Sequence, residues 1–303
     1  MRKFILVSAV QASVLLLLFG CNSEGSPADD VASPPDAPEA VDSGTIDPIS
    51  IDPTTIAPIT TGNWYRPPVL STWQWQLNGT VNTSYNVDIY DIDLFDASED
   101  LIQALQAKNI KVICYFSAGS YEEWRPDATA FESAELGHAL DGWPGERWLD
   151  IRSSNVLLIM KERLDLAVQK GCDGVEPDNV DGYKNKTGFD LTSDDQLTFN
   201  RLIANEAHAR NLSVGLKNNV EQVKELVDYY DFSVNEQCFE YSECQYLTPF
   251  IDKGKPVLNV EYEQKDIQNK TEKKALCAES LALKFSTLIL PIDLDDKFRQ
   301  SCL

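Results

Sequence analysis

Acidic residues recur where the apolar runs of this sequence end. Six of them stand at such ends: Asp93, Glu176, Asp178, Glu236, Glu261 and Asp293. One aspartate in such a place often caps the next helix, but several at one rim are harder to explain as caps. One protonated and one ionised carboxyl group are what hydrolysis of a glycosidic bond requires. The sequence therefore indicates a carboxylate-based hydrolase.

Metal or cofactor chemistry is not indicated. The chain has two histidines, His138 and His208, and no cysteine spacing typical of a zinc site. No glycine-rich phosphate loop follows any predicted strand. We expect neither a metal nor an organic cofactor.

The acids are carried by short apolar strands that alternate with helical stretches. Eight strands are predicted, at 72–77, 87–94, 111–117, 173–178, 212–217, 231–236, 256–261 and 286–292. This alternation predicts a parallel sheet, and eight strands predict closure into a (β/α)₈ barrel of the TIM type. An open, doubly wound sheet is the alternative, which the missing phosphate loop disfavours. In a barrel, the acids would meet at the carboxyl ends of the strands.

Helices are predicted between many of the strands. They span 99–108, 127–140, 155–170, 193–210, 220–229, 249–253 and 271–284. Ser98, Ser154 and the capping box Ser193–Gln196 are their clearest start signals. Two helices fall between the third and fourth strands and none follows the last strand, so we expect an irregular barrel.

The chain is predicted to begin with an export signal, residues 1–20. Arg2 and Lys3 precede an apolar run too short to span a membrane. Gly20 before Cys21 resembles the lipobox of bacterial lipoproteins, which implies cleavage before Cys21 and its acylation, for example with palmitate. An ordinary cleaved signal is the alternative. We expect a protein lipid-anchored at the bacterial cell envelope, or released outside the cell.

Residues 21–62 are predicted to form a disordered tether rich in proline and aspartate. From residue 22 onward this stretch has no aromatic residue, lysine or arginine, so it cannot bury enough apolar surface to fold. Residues 63–303 are then predicted to form one barrel domain.

The formal net charge of −22 is the strongest feature of the composition. So acidic a chain argues against a nucleic-acid partner, because phosphates need a basic face. It favours a cationic partner, although acidity for solubility alone explains the charge equally well.

Six cysteines follow Cys21, an even number that indicates disulfides in an exported protein. Cys238–Cys244 is the most local candidate pair, and Cys277–Cys302 would fasten the carboxyl-terminal end. Cys114 and Cys172 either pair or remain separate buried thiols.

Six segments, taken in order, resemble glycoside hydrolase family 114, the endo-α-1,4-polygalactosaminidases. They are Trp73–Leu77, Tyr90–Phe95, Cys114–Gly119, Trp148–Arg152, Gly174–Asp181 and Asn235–Cys238. The resemblance runs from about Trp64 to the last strand. It implies a barrel-fold endo-hydrolase of α-1,4-linked galactosamine polymers.

The resemblance places the catalytic pair on Asp178 and Glu236. By analogy with other α-specific barrels, Asp178 is the nucleophile, Glu236 is the acid/base, and configuration is retained. Glu176 lies on the same strand face as Asp178 and is the alternative nucleophile. Asp178 is favoured because it lies nearer the open rim.

Nine further residues are predicted to contact substrate: Asp91, Asp93, Tyr115, Asp150, Glu176, Asn179, Asn218, Glu261 and Asp293. Asp91 and Asp93 would hold an amine or hydroxyl, or else pack at the barrel mouth. Asp150 would alternatively pair with Arg152 and orient the long excursion between strands, residues 118–152. Three tryptophans of that excursion would stack on sugars or pack in the core: Trp124, Trp143 and Trp148.

The expected partner is a cationic amino-sugar polysaccharide, with membrane contact through the anchor only, and we expect a monomer. Two other functions stay open. One is hydrolysis of a different amino-sugar or neutral glycan. The other is a surface lipoprotein that binds carbohydrate without turnover, which the presence of both Asp178 and Glu236 disfavours.

Overall fold

The structure is a computed structural model that describes residues 48–262 and 270–303. The predicted signal 1–20, Cys21 and most of the predicted tether lie outside the described residues. No helix in the described part of the chain is long and apolar enough to cross a membrane.

Twelve strands lie within the described residues. They are β1 (Trp73–Gln76), β2 (Ile89–Asp93), β3 (Lys111–Ser117), β4 (Ser120–Glu122), β5 (Leu136–Ala139), β6 (Glu146–Leu149), β7 (Gly174–Asp178), β8 (Ser213–Lys217), β9 (Phe232–Glu236), β10 (Val257–Tyr262), β11 (Ser286–Leu290) and β12 (Gln300–Ser301). Nine of them form one curled sheet in the order β1-β2-β3-β7-β8-β9-β10-β11-β12. All neighbours in it are parallel except β12, which is antiparallel to β11. The eight strand predictions and the TIM-barrel-like fold are confirmed.

Apolar side chains cover both faces of this sheet. The inner face is filled by a cluster that includes Trp73, Trp75 and Phe232, because alternate residues of each strand point inward. The outer face packs against the helices in a second, larger cluster. The indole Nε1 of Trp73 donates to the Ser286 carbonyl at 2.8 Å, so a side chain links β1 to β11.

Six α-helices surround the sheet in the described residues. They are α1 (Glu99–Gln106), α2 (Ser154–Lys170), α3 (Ser193–Ala209), α4 (Val223–Leu226), α5 (Thr248–Asp252) and α6 (Lys270–Ala282). Ser98 caps α1 as predicted. The other two caps stand one residue earlier than predicted, at Ser153 for α2 and at Thr192, paired with Asp195, for α3. Gly171 ends α2 with a left-handed φ of 84°, a conformation that favours glycine.

The predicted helix at 127–140 is wrong. Two 3₁₀ turns, Ala128–Ala130 and Ser133–Glu135, lead into β5, which joins β4 and β6 in a three-stranded antiparallel sheet. Gly137 explains part of the difference, because a Cβ there would lie 2.0 Å from the Thr187 carbonyl oxygen. The apolar residues of this stretch pack beneath a small sheet that stands at the barrel mouth.

Part of the predicted tether lies within the described residues. Residues 48–62, which we call the amino-terminal strap, lie against the barrel. Pro48 makes a β-bridge with Ser153. Further along, the guanidinium of Arg201 donates to the Pro53 carbonyl at 2.6 Å, and Asn205 bonds both the Ala57 carbonyl and the Ile59 amide. The strap folds because α3 supplies partners for its backbone, which its own composition does not reveal.

Three disulfides fasten the fold. Cys238–Cys244 and Cys277–Cys302 are bonded as predicted, and Cys114 and Cys172, whose pairing the sequence left open, are bonded to each other.

Candidate active site

A cavity of about 160 Å³ opens at the carboxyl ends of the parallel strands. We call it the catalytic cavity. Its barrel wall includes Trp75, Tyr115, Asp178, Asn179, Lys217, Glu236 and Tyr262, and its outer wall includes Leu140, Trp143 and Glu146. The excursion at 118–152 therefore contributes one side of the site.

Three successive parallel strands end on ionisable residues at this cavity: Asp178 on β7, Lys217 on β8 and Glu236 on β9. The residue after each has a left-handed backbone: Asn179 (φ 59°), Asn218 (φ 46°) and Gln237 (φ 61°). Such angles are uncommon outside glycine and recur at functional sites. Each strand therefore turns sharply away directly after presenting its charged side chain.

Lys217 lies at the centre of the site and was missed by sequence reasoning. Its ammonium lies 3.2 Å from Asp178 Oδ1, 3.3 Å from Glu236 Oε2 and 3.5 Å from Glu176 Oε1. Burial opposes its charge, but these carboxylates raise the pKa of Lys217 well above its usual range. A lysine in an apolar strand was the available signal, since strand alternation places it on the inner face.

The Asp178 carboxyl group is held in place by several donors. The Tyr115 hydroxyl donates to its Oδ2 at 3.0 Å, and the Asn179 backbone amide donates to its Oδ1 at 2.6 Å. Together with Lys217, these contacts fix the carboxylate at the cavity wall. Such a group is suited to attack an electrophilic carbon.

Glu236 is held by a different set of partners. The Asn218 amide donates to its Oε2 at 3.0 Å, and the Tyr262 hydroxyl donates to its Oε1. Burial would raise the pKa of Glu236, but Lys217, Tyr262 and Asn218 together bring it below its ordinary value. Tyr262 was not predicted as a site residue. The prediction chose its neighbour Glu261, whose side chain lies on the opposite face of β10.

Asp91 and Glu176 form a buried acidic pair below the cavity. Both side chains are fully buried, and their four oxygens accept no hydrogen bond from other described groups. Burial, and then the neighbouring Glu176, raise the pKa of Asp91 well above its usual range. Two carboxyls cannot both ionise in such a place, so the pair retains a proton. Glu176 touches the site only through Lys217 and lies deeper than Asp178.

Besides Asp91 and Glu176, four predicted substrate-binding residues do not line the cavity. Asp93 is held by two hydrogen bonds from Arg125, and Asp150 makes a similar two-bond pair with Arg152. Glu261 lies on the outer face of β10, where it accepts from the Phe239 amide. Asp293 is exposed beyond the end of β11. Tyr115 and Asn179 line the cavity, and Asn218 acts on it through Glu236.

Glu146 is a further acid that the sequence did not single out. It lines the cavity from β6 and accepts from the Ser120 hydroxyl at 2.8 Å. Burial, with the nearby charges of Glu122 and Asp178, raises the pKa of Glu146 to about 7. The sequence predicts helix and loop for this part of the excursion, so it does not indicate that Glu146 lies on a strand facing the cavity.

Two carboxylates at the mouth of a TIM-like barrel define a glycoside-hydrolase site, and comparison with known proteins agrees. Residues 53–303 match the glycoside-hydrolase family GH114. The structure of Aspergillus fumigatus Ega3 in complex with galactosamine is 46% identical, with a TM-score of 0.75, and the match covers 80% of this chain and 100% of that chain. The chain belongs to family GH114 and is a glycoside hydrolase.

More distant structures share the fold alone. The glycoside hydrolase domain of PelA from Pseudomonas aeruginosa is 12% identical, with a TM-score of 0.59, over 76% of this chain and 98% of that domain. The Thermus thermophilus α-galactosidase TtGalA is 10% identical, with a TM-score of 0.51, over 75% of this chain and 58% of that one. No match was found among curated proteins.

Proposed function

We propose that this protein is an endo-acting, retaining hydrolase of α-1,4-linked galactosamine polymers. The observation that carries the proposal is the pair Asp178 and Glu236, bridged by Lys217 in an acidic cavity. The likeness to a GH114 structure that holds galactosamine supports this choice of sugar.

The spacing of the two carboxylates supports retention. Since they lie 3.2 Å and 3.3 Å from one nitrogen, Asp178 Oδ1 and Glu236 Oε2 are at most 6.5 Å apart. Retaining enzymes place their carboxyl groups about 5–5.5 Å apart, whereas inverting enzymes need roughly 6.5–9.5 Å to admit a water. The upper limit on this distance therefore favours direct attack by a carboxylate.

In the proposed first step, an oxygen of Asp178 attacks the anomeric carbon and the bond to the leaving sugar breaks. Glu236 gives its proton to the leaving oxygen, and a glycosyl ester forms on Asp178. In the second step, Glu236 takes a proton from water, the water oxygen attacks the same carbon, and the ester bond breaks. Both carboxyl groups return to their starting states.

Neutral substitutions test these roles. We expect Glu236→Gln to lower kcat by roughly 10²–10⁴-fold, the range that general acid–base catalysis contributes, and Asp178→Asn to lower it by several orders of magnitude. Both changes nearly conserve size, so thermal melts should still show a folded protein. The exposed Asp293→Asn is the matched control. An active Asp178→Asn enzyme beside an inactive Glu176→Gln enzyme would transfer the nucleophile to Glu176.

The acid role of Glu236 predicts an acidic pH optimum. A carboxyl whose pKa lies below its ordinary value is protonated only in acid, so kcat/KM should rise as pH falls from neutrality. The pH profile of kcat/KM reports groups of the free enzyme. A profile that is highest above neutral pH would exclude Glu236 as the proton donor.

The charge of the site predicts a preference for free amines. A deacetylated galactosamine polymer is polycationic near neutral pH and would be attracted to this acidic chain of net charge −22. Exposed charges are screened over about 8–10 Å at physiological ionic strength, so KM should rise with salt and fully N-acetylated polymer should be cut more slowly. Equal rates on both polymers, with no effect of salt on KM, would contradict the preference for a cationic substrate but not the assignment as a glycoside hydrolase.

A further inference from the structure

A second cavity adjoins the catalytic cavity. It measures about 480 Å³ and shares Leu140, Trp143 and Asn179 with its neighbour. The shared residues make the two spaces parts of one groove along the excursion. An endo-acting enzyme needs such a groove, because a polymer must extend beyond the bond that is cut.

Trp143 forms an aromatic wall shared by the two cavities. The residue is 55% exposed although it lies at the site. A tight turn holds its backbone, since its amide donates to the Leu140 carbonyl and its carbonyl accepts from the Glu146 amide, both at 3.2 Å. An exposed indole face attracts both sugar rings and ammonium groups.

The other tryptophans of the excursion differ from Trp143. Trp124 is equally exposed, at 53%, but lines neither cavity. Trp148 lines the second cavity but is only 8% exposed, so too little of its ring is accessible for a sugar to stack on it.

Carboxylates complete the second cavity. Asp141 and Asp181 both line it. Asp181 accepts one long bond, of 3.4 Å, from Asn185, and it lies in sequence directly beyond the segment that carries Asp178. Lys186 also lines this space, but Lys186 and Asp141 are both exposed to solvent, where their charges are screened. Asp181 is the half-buried acid of this cavity. The cavity therefore offers a stacking surface beside acids.

We infer that the second cavity is a sugar subsite, in which a neighbouring galactosamine unit stacks on Trp143 while its ammonium group faces Asp181. This inference rests on the proposed function, because it takes the polymer to be a galactosamine chain. It adds a binding site outside the reacting pair and assigns Trp143 as a specificity-determining residue for chain length.

The test compares Trp143→Ala with Trp124→Ala, an equally exposed tryptophan of the same excursion. In a Glu236→Gln background, calorimetry would measure the Kd of galactosamine oligomers of increasing length. We expect affinity to increase when one added unit fills the second cavity. Trp143→Ala should reduce that increase by roughly two- to tenfold, if a stacked sugar contributes as much as a stacked aromatic ring, about 0.5–1.5 kcal/mol. Trp124→Ala should retain it, and Asp181→Asn should weaken it for free-amine oligomers only.

Cleavage assays in the native background separate the two proposals. If long polymer is cut and Trp143→Ala behaves like Trp124→Ala in both binding and turnover, the subsite is refuted and the function stands. If galactosamine oligomers neither bind nor are cut, the substrate assignment fails and the subsite fails with it.

Discussion

The ionisable residues beneath the cavity are arranged in two levels. Asp91 and Glu176 share a proton in the barrel interior, and Lys217 lies between them and the half-buried pair at the cavity, Asp178 and Glu236. Removing one member of such a buried ionic group usually destabilises a protein by about 3–5 kcal/mol, because the remaining charge is left uncompensated. The lower pair shares one proton and therefore keeps one negative charge, which Lys217 faces at 3.5 Å from Glu176 Oε1.

This arrangement predicts how stability depends on pH at Asp91. Folding raises the pKa of the Asp91 carboxyl. Its contribution to stability is therefore complete below the pKa of the unfolded state and is lost as pH rises towards the pKa of the folded state. Asp91→Asn, which stays neutral, should therefore gain stability relative to the native protein between pH 4 and pH 8. Each kcal/mol corresponds to about 2–4 °C in Tm for a domain of this size.

Thermal melts across that pH range provide the measurement. The exposed Asp293→Asn serves as control, with a Tm difference that stays near zero throughout. A Tm difference for Asp91→Asn that is constant with pH would show that Asp91 is already ionised in the folded protein.

Glycine at 119 illustrates why a residue-level motif carries information. A Cβ at this position would lie 1.7 Å from the Asn179 carbonyl oxygen. The backbone after β3 passes so close to the turn after Asp178 that no side chain fits between them. The segment Cys114–Gly119 therefore positions the strand that carries Asp178.

At the scale of elements, the strap extends the fold beyond the predicted domain. Its backbone is bonded by Thr198, Arg201 and Asn205 of α3, and its Ile56 carbonyl accepts from the Tyr229 hydroxyl. A chain that starts at residue 48 should melt like the longer protein. A chain that starts at residue 63 should lose on the order of several kcal/mol, since each hydrogen bond contributes about 0.5–1.5 kcal/mol.

Chemical denaturation of the two truncated chains measures this difference. Asn205→Ala in the chain that starts at residue 48 is the matched point change and should reproduce part of the loss. Equal unfolding midpoints for both truncations would show that the strap lies on the barrel without stabilising it.

The strands could be predicted from sequence because each is a short apolar run between polar turns, and eight of them admit few architectures. The carboxylates at their ends followed from that register. Two features could not be predicted, because each depends on a distant partner: the strap on α3, and the small sheet on the Gly137–Thr187 contact. A third, the inward position of Tyr262, depends on the exact register of β10. Glu261 and Tyr262 differ by one position, which reverses the face a side chain meets.

At the scale of the whole molecule, the lipid anchor remains a prediction from Gly20 and Cys21. Cys21→Ser should abolish incorporation of labelled fatty acid and should release the protein from the membrane fraction. The hydrolase activity of the released protein should be unchanged, because Cys21 precedes the described domain. Membrane retention of the Cys21→Ser protein, equal to that of the native chain, would contradict the anchor.

The strap has a consequence for where such an enzyme could work. Pro48 joins the barrel beside Ser153, which caps α2 next to the excursion that walls the catalytic cavity. If Cys21 holds lipid, 27 residues separate the lipid from Pro48. A chain of that length spans at most about 90 Å. The anchored enzyme would then hydrolyse only polymer that lies within that distance of its own membrane.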